Sequence, residues 1–264
     1  MRVRRLGFAA VKGTRHLSRP VVELAADGPR GDRRYAVADP ATGRVLRTVD
    51  HPALARVEAE VEGGLLRLRL PDGTLVDGPA EPGAIGQPGG TLHGDYWGRP
   101  ATLRLLDGSH DAALTAYLGR PATLVATEPG AVVWGAPVSL VTTGELERLA
   151  ERLGAAGATA PAALDERFRA TVTLEADHDP EPGTLLRLGA AVVEVVGRID
   201  RCAVIDADPR TGLRDSRLLR HLEQRDGLPT FGVDAHVLAP GTVRLGDPGV
   251  VHALDPGTPE RAAH

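Results

Sequence analysis

The sequence predicts a mainly β protein with a few helices, of the α+β class, arranged as two β-barrel-like subdomains. Three features point there. Short strand-like runs closed by Gly/Pro turns outnumber the credible helices, and no βαβ spacing of a parallel doubly wound sheet occurs. Leu66-Arg67-Leu68-Arg69-Leu70 alternates with period two, the pattern of a half-buried strand. The 264 residues suffice for one large domain or two modest ones, and 42% apolar with 25% charged residues excludes wholesale disorder.

Arg2–Phe8 reads as the opening strand. Arg33–Val37 is a second; Asp39-Pro40-Ala41-Thr42-Gly43 turns the chain, and Val45–Val49 returns as a hairpin. Arg56–Val61 and Leu65–Leu70 flank Glu62-Gly63-Gly64, with Pro71-Asp72-Gly73 closing the pair; Ala80–Gly90 is a Pro/Gly-rich loop. Three helices are expected. Ser109–Leu118 has an acidic, cappable start and stops at Gly119. Thr143–Leu153 follows the strand Val138–Val141, with Thr142 and Glu145 at capping-box spacing and Gly154 as its stop. Arg214–Arg225 puts Leu218, Leu219 and Leu222 on one face before Gly227. Further strands are expected at Thr102–Leu105, Ala122–Ala126, Ala170–Leu174, Ala191–Val196, Ala203–Ile205, Val233–Leu238 and Thr242–Leu245. Ala155–Ala163 reads as a small-residue linker. The expected partition is 1–105 and 106–252, with 253–264 as a frayed tail.

Several function classes fall away. A net charge of −4, no run of five like charges and 3% aromatics argue against a nucleic-acid partner. No Gly-x-Gly-x-x-Gly joins a strand to a helix, and Gly7–Lys12 lacks the flanks of a Walker loop. No two histidines stand at i, i+4 around a Glu; Asp177 and His178 lie in an acidic stretch, Glu175–Glu181, expected to be a solvated loop. No Gly-x-Ser-x-Gly elbow is present. The basic start Met1–Arg5 precedes an apolar run too short for a signal sequence, and nothing approaches the ~20 apolar residues of a span. A soluble cytoplasmic protein without a membrane partner is expected.

Two residues stand out by their rarity. Of 31 cationic residues only Lys12 is a lysine, in an Ala/Gly/Arg/Pro-rich chain with no Asn. Either it is one more solvated cation or it is kept for its chemistry. Cys202 is the only cysteine, so neither an internal disulfide nor a cysteine-held Fe–S cluster can form within the chain. The apolar Ala203-Val204-Ile205 that follows suits a packed thiol. Arg198 and Arg201 before it favour a thiolate, the form that ligates metals and carries sulfur.

Gly197-Arg198-Ile199-Asp200-Arg201-Cys202, followed by Asp208-Pro209-Arg210-Thr211-Gly212, resembles the signature of the MOSC family, the module first defined at the C-terminus of molybdenum cofactor sulfurases. Other stretches are similar in the right order: Val11-Lys12-Gly13, Gly31-Asp32-Arg33-Arg34-Tyr35, His51-Pro52, Arg167-Phe168-Arg169 and Pro240–Asp247. Together they cover roughly residues 1–250. The resemblance implies an N-terminal β-barrel domain followed by a MOSC β-barrel. In the similar amidoxime-reducing components a molybdenum cofactor lies in the cleft between the two.

By that likeness Cys202 would be the catalytic metal ligand, and Lys12, Arg33 and Arg169 would hold the pterin and its phosphate. Gly13, Thr142, Thr143, Thr171 and Arg201 match the remaining cofactor-binding positions. The chain departs from the pattern at Gly13, where relatives have Ser, and at Ala170-Thr171, where they have Pro-Asn. The activity implied is reduction of N-hydroxylated or N-oxide small molecules, with electrons from a separate partner protein. The alternative is a metal-free sulfur carrier or C–S lyase working through Cys202, and a third is a non-catalytic binding module. Pyridoxal phosphate is not expected: a Schiff base would need Lys12, and the chain is too short to include a desulfurase domain. Either catalytic reading requires Lys12 and Arg169 to share a cleft with the Cys202 sulfur.

Overall fold

The computed structural model describes residues 1–83, 90–154 and 160–251. It is mainly β with three α-helices among the described residues: α1 (His110–Leu118), α2 (Thr143–Leu153) and α3 (Pro161–Phe168). The largest sheet runs Gly249–Val251, Leu185–Leu188, Ala191–Asp200, Leu228–Ala239, Val138–Thr142, Val172–Glu175, Arg2–Phe8, Leu17–Ser18, with Glu223–Arg225 paired to Leu228–Ala239. All its pairs are antiparallel except Val138–Thr142 with Val172–Glu175. That parallel pair needs a long crossover, which α2 and α3 supply.

The opening strand also meets the far end of this sheet. Val3 N–H donates to Asp247 O (2.9 Å), Gly246 N–H to Val3 O (2.9 Å) and Gly249 N–H to Met1 O (3.0 Å). Among the described residues there are three smaller sheets. Tyr35–Ala38, Thr123–Thr127, Arg99–Leu105 and Thr91–Tyr96 form one; Glu58–Glu62, Leu65–Arg69 and Leu75–Pro79 the second; Gly241–Arg244, Val21–Ala25 and Gly28–Pro29 the third.

Local sequence explains most of these elements. In the strand Leu65–Arg69, Leu66 and Leu68 are buried while Leu65, Arg67 and Arg69 face solvent, the alternation expected of it. α2 buries Leu146, Leu149 and Ala150 at helical spacing and stops at Gly154, whose left-handed φ of 80° ends it as expected. The capping box at its start does not form. Thr142 Oγ1 donates instead to Asp179 Oδ1 (2.9 Å), and Glu145 pairs with Arg148 (2.6 Å).

Several expectations are corrected. Arg214–Arg225 is not a helix but a loop, a 3-10 turn at Leu218–His221 and the strand Glu223–Arg225. Its leucines reach the core from that turn, and Asp226-Gly227, with φ of 50° and 80°, makes a two-residue hairpin loop. Ala203–Asp206 is likewise 3-10 rather than strand. Val45–Val49 forms no strand; only Val45 bridges, to Ala38, although the Asp39–Gly43 turn forms, with the Ala41 and Thr42 amides on Asp39 Oδ1. Pro161 at the first turn of α3 starts a helix where a linker was expected. The remainder of the expected linker (155–159), part of the expected Ala80–Gly90 loop (84–89) and the expected tail (253–264) lie outside the described residues. In the acidic stretch His178 is exposed, but Asp179 is buried between Thr142 and Arg198. Val21–Ala25, Leu75–Pro79, Thr91–Tyr96, Leu185–Leu188 and Gly249–Val251 are strands the sequence reading passed over. No described helix is long and apolar enough to cross a membrane.

Candidate active site

A cavity of about 390 Å³ opens beside Cys202, and residues from widely separated parts of the chain line it. Lys12 follows the opening strand, its amide donating to Tyr35 O (2.7 Å). Gly13 has a φ of 89°, a left-handed conformation that strains any other residue, and a Cβ there would stand 2.9 Å from Thr48 Oγ1. Arg33 is held by Asp32, Nη1 to Oδ2 2.5 Å, while Asp32 Oδ1 accepts from the Ala9 amide (2.8 Å). Arg169 ends α3, and Arg201 donates through Nε to Phe231 O (2.8 Å) and through Nη1 to Phe168 O (3.1 Å). Cys202 leaves the strand Ala191–Asp200 as a free, exposed thiol.

Two of these arginines sit in backbone that other residues avoid. Arg33 (φ 50°) and Arg169 (φ 55°) are both left-handed, a conformation costing ~1 kcal/mol for a residue with a Cβ. Glycine would relieve both. The side chains are therefore held there against a backbone cost.

The electrostatics are lopsided. Lys12 has its pKa well below the ordinary lysine value, first through desolvation and then through Arg33 and Arg169. Burial pushes Arg169 down to about 9, with Arg33 adding to it, and Arg201 down to about 10. These guanidinium groups stay protonated at neutral pH, so the depressed values express chiefly how far the side chains are withdrawn from water. Arg169 Nη1 and Arg201 Nη2 are buried with no hydrogen-bond partner among the described residues. Asp234 also lines the cavity, accepts from the Ala136 amide (3.2 Å) and is raised by burial to about 6. An enclosed cluster of cations with unused donors can bind an anion, and a neighbouring thiol can add a soft ligand.

Of the residues singled out in the sequence, Lys12, Gly13, Arg33, Arg169, Thr171, Arg201 and Cys202 all line this cavity. Thr171 Oγ1 and Ser139 Oγ lie 3.3 Å apart at its wall. Thr142 and Thr143 are not among its lining. Their hydroxyls are turned inward, Thr142 to Asp179 and Thr143 to Ala176 O (3.4 Å), because they start α2 on the side facing the acidic stretch. The Asp208–Gly212 signature forms a turn: the Arg210 amide donates to Asp208 Oδ1 (2.6 Å) and Gly212 N–H to Asp208 O (2.7 Å). Asp206 Oδ1 takes the Leu219 amide (3.2 Å), also a structural duty. Sequence reasoning missed Tyr96, Trp97, Trp134, Arg47 and Asp234. The signal available was that both tryptophans of an aromatic-poor chain stand beside glycines, at Trp97-Gly98 and Trp134-Gly135.

Fold and cavity together define a mainly β protein with a cation-lined crevice next to a solitary thiol. The chain belongs to the MOSC family: the MOSC domain model matches residues 121–249 and that of the MOSC N-terminal beta barrel domain residues 1–94. No curated protein matches it. Among solved structures, the chain is similar to the YuaD protein of Bacillus subtilis at 14% identity, covering 93% of this chain and 92% of that one, TM-score 0.41. YiiM of Geobacillus stearothermophilus gives 20% identity over 46% of this chain and 57% of that one, TM-score 0.32. A Bordetella bronchiseptica protein solved in solution gives 21% identity over 38% and 76%, TM-score 0.31.

Proposed function

We propose that this chain binds a molybdenum cofactor in the cavity and reduces N-hydroxylated or N-oxide small molecules, using electrons from a separate partner protein. One observation carries the reading. The only lysine and the only cysteine of the chain line one cavity together with four arginines, Arg33, Arg47, Arg169 and Arg201, and the last two keep a buried N–H with no partner among the described residues.

The donor set fits the group the family implies. A pterin phosphate calls for Arg forks and a Lys point charge, and molybdenum accepts a soft thiolate. Bound here, the cofactor would supply a metal centre able to pass two electrons. Lys12, Arg33 and Arg169 would hold the phosphate-bearing part, with Arg201 offering its free Nη2. Gly13 lets the backbone approach closely, Thr171 offers a hydroxyl, and Cys202 donates its sulfur to the metal. Overall, N–OH plus two electrons and two protons gives N–H and water, so a redox partner must dock at or near the cavity.

The architecture we read is a β-barrel domain over 1–105 and a MOSC barrel over 106–252. The hydrogen bonds that join the first strand to Asp247 and Gly249 support closure of the larger sheet. A lone free cysteine suits a reducing, cytoplasmic setting. The exposure of Cys202 beside Arg201 favours one second reading, a metal-free sulfur carrier or C–S lyase with a persulfide on that thiol.

The deciding experiment uses protein made in a host that synthesises the cofactor. Reduced viologen should be oxidised in a benzamidoxime-dependent manner, and Cys202→Ser should abolish this. Metal-free protein that is inactive but releases thiocyanate from Cys202 on treatment with cyanide would replace the reductase by the sulfur carrier.

A further inference from the structure

We infer that Trp97 and Trp134, with Leu228 beside them, form a stacking subsite at the cavity mouth for the planar, aromatic or heteroaromatic part of the small-molecule substrate. This rests on the reading of the cavity as a substrate site and names the chemistry it selects.

The chain holds only two tryptophans, and both line this cavity with their rings in contact, centroids 5.1 Å apart and planes tilted by 50°. Both are unusually open to solvent, Trp97 at 42% and Trp134 at 55%, and Leu228 on the same mouth is 49% exposed. Three large apolar side chains left in water around one opening form the kind of patch that marks a binding site. Lys12, Arg33, Arg169 and Arg201 are less exposed than either tryptophan, so the mouth is where a group too apolar for the anion cradle would rest.

Trp97 occupies a costly position. Tyr96 pairs directly with Arg99, which makes Trp97-Gly98 a two-residue hairpin loop with φ of 56° and 77°. Such a loop prefers Asn-Gly, and a Trp in left-handed backbone costs ~1 kcal/mol. Its ring is then fixed from one side by Arg47, whose guanidinium carbon lies 4.2 Å from the ring centroid. Across the mouth, Arg99 Nη2 donates to Val133 O (2.7 Å), tying the hairpin to the segment that carries Trp134. Trp97 thus touches both Arg47 and Trp134, and Trp134 is the more open ring of the pair, the one a ligand reaches more readily. Offset and tilted aromatic contacts add to simple burial, so a flat π-system gains more here than a saturated ring of equal size.

Fluorescence reads this directly, because every tryptophan in the chain belongs to the subsite. Cofactor-free protein is titrated with benzamidoxime and with its saturated counterpart, cyclohexanecarboxamidoxime. The aromatic probe should quench with about five-fold lower Kd. Trp134→Ala should erase that preference, Trp134→Phe should restore most of it, and Cys202→Ser should leave it unchanged. Equal affinity for the two probes, or a preference that survives Trp134→Ala, overturns the inference. A preserved preference in protein that never acquires molybdenum removes the reductase but leaves the subsite standing. Molybdenum-loaded protein with no preference removes the subsite alone.

Discussion

Arg169 shows the conflict between stability and binding on a single side chain. It closes α3 in left-handed backbone, where glycine is the usual occupant, and it buries an N–H that nothing accepts. Arg169→Gly removes both penalties, so the unliganded protein should gain on the order of 1 kcal/mol in denaturant unfolding while molybdenum retention falls. A variant that is less stable than the parent would contradict this.

His16 makes a second residue-scale prediction. Its folded pKa lies well below the ordinary 6.5, chiefly through burial and then through Arg5, whose Nη2 sits 3.2 Å from Nδ1. The unfolded chain takes up that proton first, so stability present above pH 6.5 drains away as pH falls through and below that value. Urea midpoints between pH 7 and 5 should decline, and His16→Gln should flatten the decline; an unchanged slope would refute it.

Lys12 and Cys202 were legible because composition isolates them. Asp234 was not, since a carboxylate in a strand acquires its meaning only from the burial and the Arg201 charge the fold gives it.

At the scale of elements, Arg167 joins α3 to the excursion that leads away from Cys202. Its side chain is buried, with Nη2 bidentate on Asp215 (2.7 and 2.9 Å) and Nη1 donating to the Ile205 and Asp206 carbonyls (3.4 and 3.3 Å). Arg167→Ala strands those acceptors and should cost about 2–4 kcal/mol in equilibrium unfolding, with weaker cofactor retention. A loss below about 1 kcal/mol would show that the Phe168–Phe231 stack, centroids 4.0 Å apart, holds this region unaided.

The two helices whose glycine stops were read correctly, α1 and α2, are governed by local signals. Arg214–Arg225 failed because Leu218 and Leu222 suit a 3-10 turn over Ile205 as well as a helix face, and only tertiary packing decides between them. There the Asp226-Gly227 hairpin signal outranked the leucine spacing.

On the scale of the whole molecule, the two halves seen in sequence share their sheets. Arg2–Phe8 pairs with Val172–Glu175, and Val21–Ala25 pairs with Gly241–Arg244. Val3, Leu6, Val22 and Leu24 are buried in the same core as Val172, Leu174 and Val243. Pairings so distant in sequence carry no local mark, so the interleaving is not legible in the chain. Residues 121–251 produced alone should therefore lack cooperative thermal unfolding. A sharp, reversible melt of that fragment would contradict the interleaved core.

The central claim is that the recessed cations and the Cys202 sulfur together hold a molybdenum cofactor. The most direct measurement is molybdenum per chain in protein purified from a cofactor-producing host, for the parent, Cys202→Ser and Lys12→Met. About one metal per chain in the parent and severe loss in both variants is the predicted result. A parent with no molybdenum, or variants that retain it in full, would contradict the claim.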